Sequence, residues 1–269
     1  MRAALVVLMI VTPTVMLNTT ATETLQVVGL VSIFAAMFTF VEYSVVSPSL
    51  VEFRNAPPFN RLRFIALSLM VFSLAFVVRG AEGSTLGKLF QIVGERVGAS
   101  IDFPFSPVRL ILLMMPDDTS VQHLILVRTT AGLSYVISLL SLGTFIIFLR
   151  VRGWPQHTGS FNVWVNLPTF DPTTGGDVVA RLNRDSQINL ILGFLLPFIV
   201  PALGKMYANL IGPINLTDPQ TLIWAMCAWA FLPASLLMRG VALSRVAQMI
   251  HVQRKRAYAR AAADGMLPV

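Results

Sequence analysis

A single cysteine, Cys227, stands in the 269 residues, so no intramolecular disulfide can form and no cysteine-based metal site can be assembled. Charge is equally scarce. Asp, Glu, Lys and Arg make up 12% of the chain and hydrophobic residues 55%, about half the charged fraction of a soluble domain, and the mean hydropathy is +0.72. These values exclude an ordinary soluble domain and predict an integral membrane protein. Histidine occurs only at His123, His157 and His251, with no H-E-x-x-H spacing, and no Ser/His/Asp set or carboxylate pair shares a predicted helical face. Gly175-Gly176 lacks the Lys and Ser or Thr of a phosphate loop. The expectation is a non-enzymatic protein with no catalytic residue, metal or cofactor.

What the chain does contain is separated apolar blocks, each near the ~20 residues that cross about 30 Å of hydrocarbon as a helix. A β-barrel would instead alternate over segments of about 10 residues. The pattern predicts an all-α integral membrane protein with six transmembrane helices at about 3–17, 25–46, 64–78, 130–149, 188–210 and 222–238. They form a single polytopic membrane domain, 1–269, whose residues 239–269 make a basic cytoplasmic helical tail, expected to end at Asp264-Gly265. The first block fits either a short span or the apolar region of a signal peptide; we read it as a retained helix.

The connections carry their own patterns. Between the second and third blocks, Pro48, Pro57 and Pro58 forbid a continuous helix, because each lacks an N–H and restricts the residue before it. In the long outer loop, Ser84 can cap an amphipathic helix with Leu86, Leu89, Phe90, Val93 and Val97 on one stripe, suited to a membrane or protein surface. Ser106-Pro107 opens a short apolar turn closed by Pro116, too short to span and therefore interfacial or re-entrant. Asp118 or Thr119 is placed as the cap of the fourth helix. In the polar stretch 150–187, FNVWV reads as a short strand or an interface-anchored segment, with Trp154 and Trp164 at headgroup depth and Asp177 capping the next helix. Pro197 and Pro201 predict a kinked or interrupted fifth helix.

Basic residues decide the sidedness. With the N-terminus inside, the cytoplasmic face holds fourteen: Arg2, Arg54, Arg61, Arg63, Arg150, Arg152, Arg181, Arg184, Arg239, Arg245, Arg254, Lys255, Arg256 and Arg260. The outer face holds six: Arg79, Lys88, Arg96, Arg109, Arg128 and Lys205. This asymmetry predicts both termini cytoplasmic and accounts for the net charge of +7 without a nucleic-acid partner. Seventeen of the twenty are arginine, a bias expected of a GC-rich bacterial genome, which points to a bacterial inner membrane.

Glu42 is the one acidic residue clearly within an apolar block. Such a group is costly in lipid and often functional, but Glu42 lies within a turn of the predicted interface. The favoured expectation is therefore that it reaches water or pairs with Arg54, Arg61 or Arg63, with Tyr43 as an interface anchor. In the tail, Ala242, Val246, Met249 and Ile250 form a stripe beside Arg245, Arg254, Lys255, Arg256 and Arg260, a pattern for contact with anionic lipid. The functional expectation is a scaffold, assembly factor or accessory subunit of a membrane complex. It would partner the bilayer and other membrane proteins or itself. The alternative is a small-solute or ion transporter using Glu42 and the proline-bearing fifth helix.

Overall fold

Helix caps set the start of most elements in the computed structural model, which describes residues 1–18, 21–80, 84–155, 161–171, 173, 175–212, 214 and 216–263. Among the described residues the secondary structure is entirely helical: α1 (Arg2–Met16), α2 (Thr22–Ser44), α3 (Phe59–Arg79), α4 (Thr85–Ser100), α5 (Pro107–Met114), α6 (Val121–Val151), α7 (Val163–Asn166), α8 (Val178–Leu210) and α9 (Pro219–Ala263). The side chain of Ser84 accepts from the Gly87 N–H at 3.3 Å, that of Ser106 from Arg109 at 3.0 Å, and that of Asp177 from Ala180 at 3.2 Å, each satisfying a free amide of a first turn. One cap differs from expectation, and one had not been assigned. Ser120, not Asp118 or Thr119, receives the amide that opens α6, and Asp218 caps α9 through Thr221. The anticipated stop at Asp264-Gly265 lies outside the described residues.

Five helices, α2, α3, α6, α8 and α9, are long and apolar enough to cross a membrane, and α1 is a shorter apolar helix. The chain is thus a helical membrane protein. The sequence FNVWV is not a strand: Val163–Asn166 form one helical turn, with Asn162 accepting at its start. Nor is the fifth helix interrupted, since α8 continues through Pro197 and Pro201. Proline at 201 leaves the Pro197 carbonyl without its usual i+4 donor. The indole N–H of Trp229 on α9 supplies one at 3.1 Å, so the helix stays whole because a neighbour satisfies the freed group.

Helices close on one another through small residues. α8 and α9 run antiparallel, with Ser186, Gly193 and Pro197 facing Gly240, Pro233 and Trp229 in turn. A methyl group at Gly193 would lie 2.8 Å from the Pro233 carbonyl oxygen, and one at Gly240 would lie 2.9 Å from that of Ser186. α4 meets α6 the same way: Gly94 and Gly98, a G-x-x-x-G pair, sit against Thr129 and Gly132. The glycine side of α4 therefore faces protein, while Leu86, Leu89, Ile92 and Val93 are exposed; within the predicted stripe Val97 is half-buried and Phe90 turns inward, stacking on Phe76 with centroids 5.5 Å apart.

Two buried cores result. The first, inside the bundle, gathers Met70 and Leu74 of α3, Ile111 of α5, Val127 and Ala131 of α6, and Ile223 and Met226 of α9. The second lies at the bundle end that carries Arg2, around Phe53, Phe59, Phe145, Trp154, Leu167, Leu182 and Val246. At this end the α2–α3 loop, the α6–α8 connection and the middle of α9 fold together as a cap.

Candidate functional site

The cap is organised by the loop that leaves α2. Glu42, in the last turn of that helix, is 4% exposed, and its carboxylate accepts from the backbone amides of Ser49 at 3.1 Å, Leu50 at 3.0 Å and Val51 at 2.9 Å. Arg54 completes the arrangement from the other side. Its guanidinium donates to the carbonyl oxygens of Glu42 at 2.9 Å, Val45 at 2.6 Å and Val46 at 2.9 Å, the C-terminal carbonyls where a helix favours a cation. Glu42 thus has backbone partners, whereas the expected side-chain pairing with an arginine does not form: Arg54 binds carbonyls, Arg63 lies over the rings of Phe59 and Phe231, and Arg61 is exposed. Tyr43 packs beneath the Arg2 guanidinium, 4.1 Å from its ring centre.

A second carboxylate, Glu52, ties the loop to α9. Arg239 meets it with both arms of its guanidinium, Nε to Oε2 at 2.6 Å and Nη2 to Oε1 at 2.7 Å, a bidentate geometry stronger than a single contact. Thr169 donates to the same Oε1 at 2.8 Å, and Asn60 donates to the Glu52 carbonyl at 2.7 Å. Beside this pair, between α3, α8 and α9, lies a cavity of about 500 Å³ lined by Glu52, Arg63, Ser235 and Arg239 among leucines. The Nε of Arg63 and the hydroxyl of buried Ser235 have no hydrogen-bond partner among the described residues. Glu52 and Arg239 are 187 residues apart, and no local pattern joins them. The one available signal was that Glu52 is the sole acid between Pro48 and Pro57.

Phe53 anchors the loop in the cap core. It is 1% exposed with φ of +51°, a region few non-glycine residues occupy. Its amide donates to the Asn166 carbonyl at 2.7 Å, its ring lies 4.6 Å from Phe59 and 5.8 Å from Trp154, and the Asn55 amide reaches the Asn166 side chain at 3.0 Å. Trp154 is consequently buried within protein and not placed as an interface anchor, while Trp164 is exposed. The tail also departs from expectation. Ala242, Val246 and Met249 are buried in this same core, with Ile250 packed against it, so the apolar stripe faces protein and is not open to lipid.

Of the tail cations, Arg245 donates to Gln248 and Arg254 to Asp177, while Lys255, Arg256 and Arg260 are exposed. The Arg254 hydrogen bond, aided by the capping amides, holds the Asp177 carboxyl below its ordinary range. At the other end, Asp102 lies 2.7 Å from Arg109 and 3.8 Å from Arg128. Pro197 and Pro201 are buried along α8, well removed in sequence from the Glu42 cage.

Among the described residues, no three His, Cys, Asp or Glu side chains gather where they could hold a metal ion. The arrangement at the cap can do two things: lock a loop by backbone recognition, and hold a cation-rich pocket against the bundle. No protein-family model matches the chain, and neither curated proteins nor solved structures yield a match.

Proposed function

We propose that this chain is a six-span, non-enzymatic scaffold, assembly factor or accessory subunit of a membrane complex. The observation that carries the reading is the cap. Loops that a bare anchor would leave separate share one aromatic and aliphatic core at one end of the bundle, closed by the Glu52–Arg239 pair and by the backbone cage around Glu42. Such an ordered, largely polar-edged surface suits a docking platform. The α1–α2 hairpin adds a flank on which Leu30, Ile33, Phe34, Met37 and Phe40 are exposed, positions a neighbouring membrane helix can cover.

In the same proposal α1 is the sixth span, both termini are cytoplasmic, and the membrane is a bacterial inner membrane. Arg2, Arg54, Arg61 and the arginines of the cap belong to one end of the bundle, as the positive-inside rule asks of the cytoplasmic face. α5 then rests at the outer interface. The transport alternative draws on Glu42 and a broken fifth helix. It has little to work with: the carboxylate already accepts from three amides, and α8 is continuous.

The test is extraction in a gentle detergent followed by native mass measurement, with photo-crosslinkers at Phe34 and Met37 of α2. A defined hetero- or homo-oligomer crosslinked through α2 supports the reading. A strictly monomeric particle with no crosslink from either position sinks it. Reporter fusions at Ser100 and Gly175 should report opposite sides, and a same-side result overturns the topology.

A further inference from the structure

A second cavity is separate from the ion-paired cavity beside Arg63. It measures about 700 Å³ and lies between α1, α2 and the start of α3. Its lining is divided by chemistry. Leu5, Val6 and Phe64 line it together with Arg2, Arg54 and Arg61, and with the amides of Asn55 and Asn60. Among the described residues no carboxylate contributes to the lining. Arg54 is committed to backbone carbonyls, but among the described residues Arg2 lies over the face of Tyr43 without an ion pair, and Arg61 forms no ion pair or hydrogen bond. Two guanidiniums without an anionic partner among the described residues, and a third held by carbonyls, therefore line a pocket that also offers apolar wall.

Position narrows the choice of ligand. The pocket opens where α1 begins, where α2 ends and where α3 begins, so it sits where apolar helices give way to polar loop. A headgroup phosphate at that level meets guanidiniums that recognise it with paired N–H donors, and the first carbons of an acyl chain continue along Leu5, Val6 and Phe64. Arg2 is steadied by Tyr43 and Arg54 by three carbonyls, so part of the ordering cost of binding is already met.

We infer that this pocket binds the headgroup of an anionic phospholipid, as a discrete site distinct from the basic tail. An occupant there would bridge α1, α2 and α3, and would fasten the outlying hairpin to the bundle.

The full chain in mild detergent provides the test, with phosphatidylglycerol, phosphatidylcholine and inorganic phosphate as probes. Binding is read by native mass spectrometry and by the shift in thermal unfolding. Phosphatidylglycerol should form a one-to-one adduct and raise the unfolding temperature, while phosphatidylcholine does neither. Arg2→Gln with Arg61→Gln should weaken that adduct about thirtyfold, at about 1 kcal/mol for each basic residue near an anionic surface. Arg256→Gln with Arg260→Gln, in the tail, should leave it unchanged. Equal unfolding temperatures without lipid would show that the pocket variant is folded. An adduct indifferent to the pocket pair, or weakened equally by the tail pair, overturns the site. Full competition by inorganic phosphate at equal concentration overturns the lipid as its occupant.

Discussion

Two helical hairpins in this chain have similar apolar character and opposite packing. In α2, 6% of the apolar window is buried inside the protein, and in α9 56%, although α2 is the more apolar of the two. The difference lies in small and polar residues. α8 and α9 bring backbone to backbone at Gly193 and Gly240, and they exchange hydrogen bonds from Ser186 to the Gly240 carbonyl at 2.8 Å and from Trp229 to the Pro197 carbonyl. α2 has Gly29, but a methyl group built there would touch nothing. Within a bilayer, lipid tails are as apolar as leucine, so greasiness does not choose a neighbour; close approach and buried hydrogen bonds do.

The largest effect is expected where the tight hairpin is forced apart. Gly193→Leu places a side chain into the Pro233 carbonyl and Leu237, and should destabilise the protein by about 3 kcal/mol, read as a lowered midpoint in a denaturant titration in detergent. Ser186→Ala should cost far less, since it removes one hydrogen bond worth about 1 kcal/mol and leaves the backbones in contact. If the two variants were equal, the role given to close approach would be wrong.

Next is the tie between cap and bundle. Arg239→Ala leaves Glu52 with Thr169 as the one hydrogen-bond donor to its carboxylate among the described residues, in a site where the side chains are 29% and 11% exposed. Partial exposure tempers the penalty of a fully buried unpaired charge, so about 2 kcal/mol is expected. Protease accessibility of the α2–α3 loop should rise with it. A variant as resistant as the parent chain would remove Glu52–Arg239 from the account of the cap.

On the loose hairpin the sign reverses. Gly29→Ala should stabilise by roughly 0.5–1 kcal/mol through helix propensity alone, with no change in packing. A loss of that size or larger would instead reveal a partner pressed against α2 in the purified particle.

The smallest effect is the surface pair Asp177–Arg254. Because the folded carboxyl titrates below its ordinary range, the pair contributes above the unfolded carboxyl's pKa, and the contribution is lost as pH falls through the folded one. Asp177→Asn keeps an N-cap but loses the charge. It should unfold slightly earlier than the parent at neutral pH and coincide with it once the pH is below the carboxylate range. A gap that persists in acid would assign the effect to capping.

Local rules carried far into the chain's architecture and stopped at its contacts. Ser84, Ser106 and Asp177 cap helices where a hydroxyl or carboxylate precedes an apolar run, and Pro116 closes α5, because these are interactions within four residues. Ser120 has no local advantage as a cap, since Thr119 and Asp118, one and two residues earlier, are equally good caps and compete for the same role. Of the site, Glu42 was visible as an acid in an apolar block, but its partners were not. Backbone amides leave no trace in a sequence, and the nearby arginines offered a simpler answer.

The sequence by itself determined that this is a helical membrane protein and where its long apolar helices run, and it marked Asp177 as the start of one of them, α8, since hydropathy and capping act over short stretches of chain. Only the tertiary structure decided how the basic tail is used. Ala242, Val246 and Met249 make a stripe that fits lipid and protein equally well, and it faces protein because Phe53, Trp154 and Leu182, each supplied by a different segment, are folded against it.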